Sequence, residues 1–261
     1  MFDLNNLTRG QRSTVNGQLK ISLIAFAIFL SSCNTGPDPY HGWPVVNGNS
    51  AGNKFSSLKQ IDTSNVAQLK VAWTFHTGDV DTSAHSQIQC NPIIINGTLY
   101  ATSPQLKLFA LDAVTGKERW HYNPFDSVSG EKKGIYFSLN SNRGVAYWTD
   151  GKEDERLFYT AGPVLRSVDA KTGKIVGGFG KNGKVDLSEG LGVEGKNLFV
   201  TATSASTVYK DLLLVGTRVS EGMDAAPGDI RAYNVRTGKQ EWIFHTIPHP
   251  GELGYETWED K

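Results

Sequence analysis

Three stretches of the chain repeat one order of apolar and polar positions. Each has a β-rich run, a second run ending in an acidic or amide residue, and a Thr-Gly-Lys turn. The second run and turn read Leu108-Phe109-Ala110-Leu111-Asp112-Ala113-Val114-Thr115-Gly116-Lys117 in the first copy. The middle copy is Leu165-Arg166-Ser167-Val168-Asp169-Ala170-Lys171-Thr172-Gly173-Lys174, and the last is Ile230-Arg231-Ala232-Tyr233-Asn234-Val235-Arg236-Thr237-Gly238-Lys239. Residues 98–102, 156–160 and 212–216 supply the run upstream of each copy, and a short alternating run follows the turn, as in Glu118-Arg119-Trp120-His121-Tyr122. A fourth run, residues 92–95, joins the first copy through Asn96-Gly97, a strong hairpin signal.

The turns have a stated chemistry. Asp or Asn bonds the backbone two residues on, and Gly supplies the positive φ that reverses the chain. Four antiparallel strands per unit, repeated along the chain, predict an all-β protein: a β-propeller of four-stranded antiparallel blades. A β-sandwich with three similar hairpins is the competing architecture. A Trp stands five residues after the Thr in two copies, at Trp120 and Trp242, while Gly177 holds that place in the middle copy. Packing between neighbouring blades is the expected role of these tryptophans.

Charge changes the picture by exclusion. Lys and Arg number 26 against 26 Asp and Glu, so no nucleic-acid partner is expected. Residues 21–30 form an apolar run preceded by Arg9, Arg12 and Lys20, too short to cross a bilayer as a helix. Together they read as a secretory signal segment over residues 1–32. It ends in Leu30-Ser31-Ser32-Cys33, which resembles a bacterial lipobox, with an ordinary signal segment and an incidental Cys as the alternative. Lipidation at Cys33 would anchor the mature chain on the periplasmic side of a bacterial membrane. Residues 33–40 then form a tether and 41–261 the folded part. Cys90, the other cysteine, is expected to be a small buried residue.

Trp43, Phe55-Ser56, Ile61-Asp62, Asn65-Val66, Leu69-Lys70 and Trp73 open the folded part, and Asn142-Arg143-Gly144-Val145-Ala146-Tyr147-Trp148 and Pro248-His249-Pro250-Gly251-Glu252 lie between and after the repeats. With the Thr-Gly-Lys repeats, these residues resemble the quinoprotein dehydrogenases, eight-bladed propellers that bind pyrroloquinoline quinone (PQQ) and Ca²⁺. The resemblance covers nearly all of the chain from about residue 40 onward. It implies base-assisted hydride transfer from a sugar or alcohol to the quinone, with electrons passed to membrane quinone.

The resemblance also implies roles for particular residues. Arg143 matches the Arg beside the cofactor, a planar cation suited to a carboxylate; its neighbours Asn142 and Gly144 are expected in the cofactor-binding set with it, Gly144 letting the backbone turn closely there. Gln89 matches an acidic residue that meets a PQQ carboxylate, and Thr203 a Thr that donates its hydroxyl. Glu221 matches the calcium-binding Glu. Read from the residues alone, the alternatives are a surface cation in a tight turn for Arg143 and a solvated loop acid for Glu221. Phe137-Ser138-Leu139-Asn140 lacks the adjacent cysteines of the methanol-dehydrogenase branch, which points to the membrane-associated glucose or sugar branch.

Copies of the turn recur 57 and 65 residues apart, at Thr115, Thr172 and Thr237, so eight blades would need roughly 450–500 residues. The chain holds three blades and part of a fourth. It is therefore expected to be an N-terminal portion with part of a cofactor site, inactive toward glucose on its own, its catalytic base lying beyond Lys261. The competing function is a non-enzymatic lipoprotein propeller of the outer-membrane assembly type. Arg143 and Glu221 discriminate the two, because a scaffold has no use for that cation and carboxylate.

Overall fold

The structure is a computed structural model that describes residues 42–83, 86–126, 141–191, 198–222 and 225–258. The expected signal segment, Cys33 and the expected tether lie outside them. No described helix is long and apolar enough to cross a membrane. The only helical turns among the described residues are two short 3-10 turns, Val66–Gln68 and Tyr255–Thr257.

Blade one is a four-stranded antiparallel sheet of β1 (Ile93–Ile95), β2 (Thr98–Thr102), β3 (Leu108–Asp112) and β4 (Glu118–Tyr122), paired in sequence order. Blade two repeats that order with β5 (Ala146–Thr149), β6 (Glu155–Ala161), β7 (Val164–Asp169) and β8 (Lys184–Asp186). Blade three begins with β9 (Val200–Thr201) and β10 (Thr207–Tyr209) and continues through β11 (Leu212–Gly216), β12 (Arg218–Val219), β13 (Ile230–Asn234) and β14 (Gln240–Phe244). Its sheet runs β10-β11-β13-β14, while β9 and β12 extend the β10–β11 hairpin as a separate two-stranded ladder.

Blade stacking explains why the middle strands read as apolar runs and the outer strands do not. In β6, Leu157 and Tyr159 join the core shared with blade one, beside Tyr100, Leu108 and Ala110. The intervening Phe158 joins the core shared with blade three, beside Leu213, Val215 and Tyr233. Period-two alternation thus serves two buried faces instead of one buried and one wet. The outer strands β4 and β14 are mostly exposed. Cys90 is half-buried against a third cluster of Ala101, Phe109 and Leu111, and burial pushes its thiol up.

The three turns are built alike. Asp112 Oδ1 accepts from the Val114 and Thr115 amides at 3.1 and 2.9 Å, and Asp169 Oδ1 from those of Lys171 and Thr172 at 3.1 and 2.7 Å. Asn234 Oδ1 accepts from Arg236 and Thr237 at 3.0 and 3.1 Å. Gly116, Gly173 and Gly238 hold φ of 69°, 71° and 69°. These glycines are also where blades meet. A Cβ on Gly116 would lie 2.4 Å from the Trp73 ring, and one on Gly173 would lie 2.5 Å from the Trp120 ring. The indoles also bond across, Trp73 Nε1 to the Ala113 carbonyl at 3.2 Å and Trp120 Nε1 to that of Ala170 at 3.1 Å. Trp120 therefore packs between blades as expected.

The middle copy differs from the expected pattern. No strand follows its turn directly: Ile175 makes one bridge to Val168, and the chain makes an excursion before returning as β8. Gly177-Gly178 lacks the alternating side chains that hold an edge strand. The excursion brings the Gly180 backbone against Gly238, where its amide donates to the Thr237 carbonyl at 2.8 Å. Backbone thus fills the place that an indole fills elsewhere.

Candidate functional site

The segments entering the three blades lie side by side. Ahead of β1, the Asn91 amide donates to the Arg143 carbonyl at 3.1 Å; ahead of β5, the Arg143 amide donates to the Thr203 carbonyl at 2.8 Å. The chain that enters each blade is thus tied to the chain that enters the next. A cavity of about 480 Å³ opens beside this line, walled by Val46, Asn91, Arg143, Tyr147 and Ala205 among others.

Arg143 is exposed on the cavity wall, and its guanidinium makes no ion pair or hydrogen bond among the described residues. Among the described residues, none that lines the cavity is acidic. An unpaired fork in a recess without carboxylates is a site for an anion, because a planar guanidinium accommodates a carboxylate in two parallel bonds. The residues on either side hold it there. Asn142 is buried, and its Oδ1 accepts from the Gly144 amide at 2.9 Å and from Thr102 Oγ1 at 3.3 Å. Its Nδ2 donates to the Thr160 carbonyl at 3.2 Å, so the amide of Asn142, expected on the cofactor, is instead spent on the protein and shapes the turn. Gly144 has φ of 145°, and a Cβ there would lie 2.6 Å from Val46 Cγ2 and 3.1 Å from the Asn91 carbonyl.

Thr203 is buried at the same line, its carbonyl engaged by Arg143. Gln89 is half-buried two residues ahead of Asn91 and does not line the cavity. Tyr147 does line it, with its hydroxyl donating to Glu155 at 2.8 Å; burial and that bond hold the phenol well above its ordinary pKa. Glu221 stands apart. β12 pairs antiparallel with β9, Arg218 with Thr201 and Val219 with Val200. The chain therefore leaves β9 toward Thr203 at one end of that ladder and leaves β12 toward Glu221 at the other. Glu221 is exposed and outside the cavity wall.

Asn91 escaped the sequence reading although it both ties Arg143 and lines the cavity. Repeat phase was the signal that could have found it. Asn91, Arg143 and Thr203 stand a few residues ahead of β1, β5 and β10, the first strands of the three four-stranded sheets.

A family model for the glucose/ethanol/alcohol dehydrogenase β-propeller domain, the PQQ family, matches residues 43–261. The chain belongs to the PQQ-dependent dehydrogenase propeller family. Among curated members of this quinoprotein family, it is 33% identical over 236 residues to the quinate/shikimate dehydrogenase (quinone) of Acinetobacter baylyi, covering 81% of this chain and 29% of that protein. It is 35% identical to the dehydrogenase subunit of the alcohol dehydrogenase (quinone) of Gluconobacter oxydans, covering 76% of this chain and 24% of the relative. The solved quinohemoprotein alcohol dehydrogenase of Comamonas testosteroni superposes with a TM-score of 0.62 at 27% identity, over 81% of this chain and 28% of that one. A europium-containing methanol dehydrogenase gives the same score and identity, over 33% of its chain. The chain thus spans less than a third of the length of the curated quinoproteins named.

The site can be tested against the groups this family implies. An unpaired Arg143 fork, free of acidic neighbours on the cavity wall, fits a cofactor that carries carboxylates. For calcium, which takes six to eight oxygens, Glu221 offers one exposed carboxylate, outside the cavity wall.

Proposed function

We propose that the chain is the N-terminal portion of a PQQ- and Ca²⁺-dependent dehydrogenase that oxidises a glucose-like sugar or an alcohol and passes electrons to membrane quinone. Anchoring through a lipidated Cys33 on the periplasmic side of a bacterial membrane is part of the proposal. One observation carries it: the guanidinium of Arg143 on the cavity wall, with no bonding partner and no lining carboxylate among the described residues. When bound, PQQ supplies a two-electron quinone acceptor and Ca²⁺ a Lewis acid beside it. Arg143 would hold a PQQ carboxylate; Gln89 and Thr203 do not line the cavity and are left out of that contact. Asn142 and Gly144 would act through Arg143 by fixing its turn. Glu221 would give one oxygen to calcium.

Calorimetric titration of the full chain with PQQ, with and without Ca²⁺, tests this reading. A charge-assisted bond of about 1.5–3 kcal/mol corresponds to a ten- to hundred-fold weaker complex for Arg143→Ala. Glu221→Gln should remove the enhancement by Ca²⁺ and leave the metal-free affinity unchanged. Equal binding by the native chain and Arg143→Ala, or binding by neither, would overturn the assignment.

A further inference from the structure

Beyond β14 the chain folds over itself at Pro248-His249-Pro250-Gly251-Glu252, a motif that the cofactor site does not use. Three side chains converge there. His245 Nδ1 lies 2.8 Å from Glu252 Oε1, and the rings of His245 and His249 stack with centroids 3.8 Å apart and planes 20° apart. One potential ligand atom from each of His245, His249 and Glu252 lies within 4.8 Å of the other two. We propose that these three residues bind a divalent transition-metal ion of the Zn²⁺ class, at a site separate from Arg143 and Glu221.

The chemistry and the backbone both favour this. Two imidazoles and one carboxylate form a ligand set suited to Zn²⁺, leaving the fourth position open to water. Tetrahedral Zn²⁺ with bonds near 2.0–2.1 Å holds its ligand atoms roughly 3.3 Å apart. The cluster therefore needs to close by about 1.5 Å at its widest, within reach of χ rotations in exposed His249 and Glu252. The loop is already set. Pro248 and Pro250 restrict the backbone on either side of His249, the His249 amide donates to Glu252 Oε2 at 2.7 Å, and the Glu252 amide donates to the His249 carbonyl at 3.0 Å. A cation would take the place of the contact between His245 Nδ1 and Glu252 Oε1. Chain entropy lost on binding is small, because the three residues lie within one short turn.

The chain offers its own control. His121 and Glu118 make the same kind of bond, 2.7 Å from Nδ1 to Oε1, without a third ligand. The test is calorimetric titration of the full, chelator-treated chain with ZnCl₂, and with CoCl₂ read by visible absorption. Expected are one ion per chain, the intense visible bands of four-coordinate Co²⁺, and binding at least tenfold weaker in His249→Ala. His121→Ala should bind as the native chain does. His249→Ala leaves the backbone bond to Glu252 in place, so its folding is not at issue; Glu252→Gln, which touches that bond, is read beside it with circular dichroism. Absence of stoichiometric binding, or undiminished binding in His249→Ala, overturns the site.

Discussion

Gly173 answers two demands at once. Its φ of 71° suits a residue without Cβ, and the Trp120 ring occupies the space a Cβ would take. Gly151 meets only the first demand, with φ of 76° and nothing within 4 Å of where a Cβ would stand. The pair separates the two effects. Gly151→Ala should cost about 1–2 kcal/mol for the left-handed backbone alone. Gly173→Ala should cost a further 1–3 kcal/mol, approximately, because the indole or the turn must move. Urea denaturation of both variants measures the difference; equal losses would mean that the indole yields freely. Asn142→Ala makes a parallel contrast with Arg143→Ala. Removing the buried amide leaves the Gly144 amide and the Thr160 carbonyl without it, at about 1–3 kcal/mol each at most, and should lower the denaturation midpoint. Arg143→Ala, whose fork bonds nothing among the described residues, should leave that midpoint unchanged.

At the scale of the element, the turn was legible because its bonds are local. Asp112 reaches amides two and three residues on, and those distances are written in the sequence. A pH dependence follows. The hydrogen bond from Arg119, 2.7 Å from Asp112 Oδ2, and those from Thr115 lower the carboxyl from its ordinary value to about 2. A carboxylate with a depressed folded-state pKa stabilises the fold above its unfolded value, and the contribution is lost as pH falls through the window from about 4 to about 2. Asp112→Asn keeps an acceptor for the turn, as Asn234 does naturally, and should flatten the fall of the denaturation midpoint across that window. An unchanged slope would show that Arg119 does not act on Asp112 in solution. What stays hidden at this scale is contact between elements. Nothing local in Gly177-Gly178 announces that the excursion will place Gly180 on Gly238. Glu221 is similar: its motif is readable, but its position depends on a two-residue ladder that no periodicity marks.

Across the whole molecule, the repeat gave three blades from period and turn chemistry, while the cavity depended on four separated segments coming together. Asn91 precedes the first copy and was invisible to a search anchored on the turns. Exposed apolar side chains among the described residues include Leu58, Ile61 and Val71 before blade one and Trp242, Phe244 and Ile247 in and after β14. Large exposed apolar surfaces drive association. The chain should therefore sediment with a weight-average coefficient that rises with concentration and falls back in mild detergent; a constant monomer value would contradict this. Trp242 has a further use. Trp73 and Trp120 each cover a glycine turn of the neighbouring blade, whereas Trp242 is 41% exposed. Its emission is consequently an optical gauge of the β14 edge: the difference between the spectra of the native chain and Trp242→Phe should shift to the blue when any surface settles there, and stay red while water does.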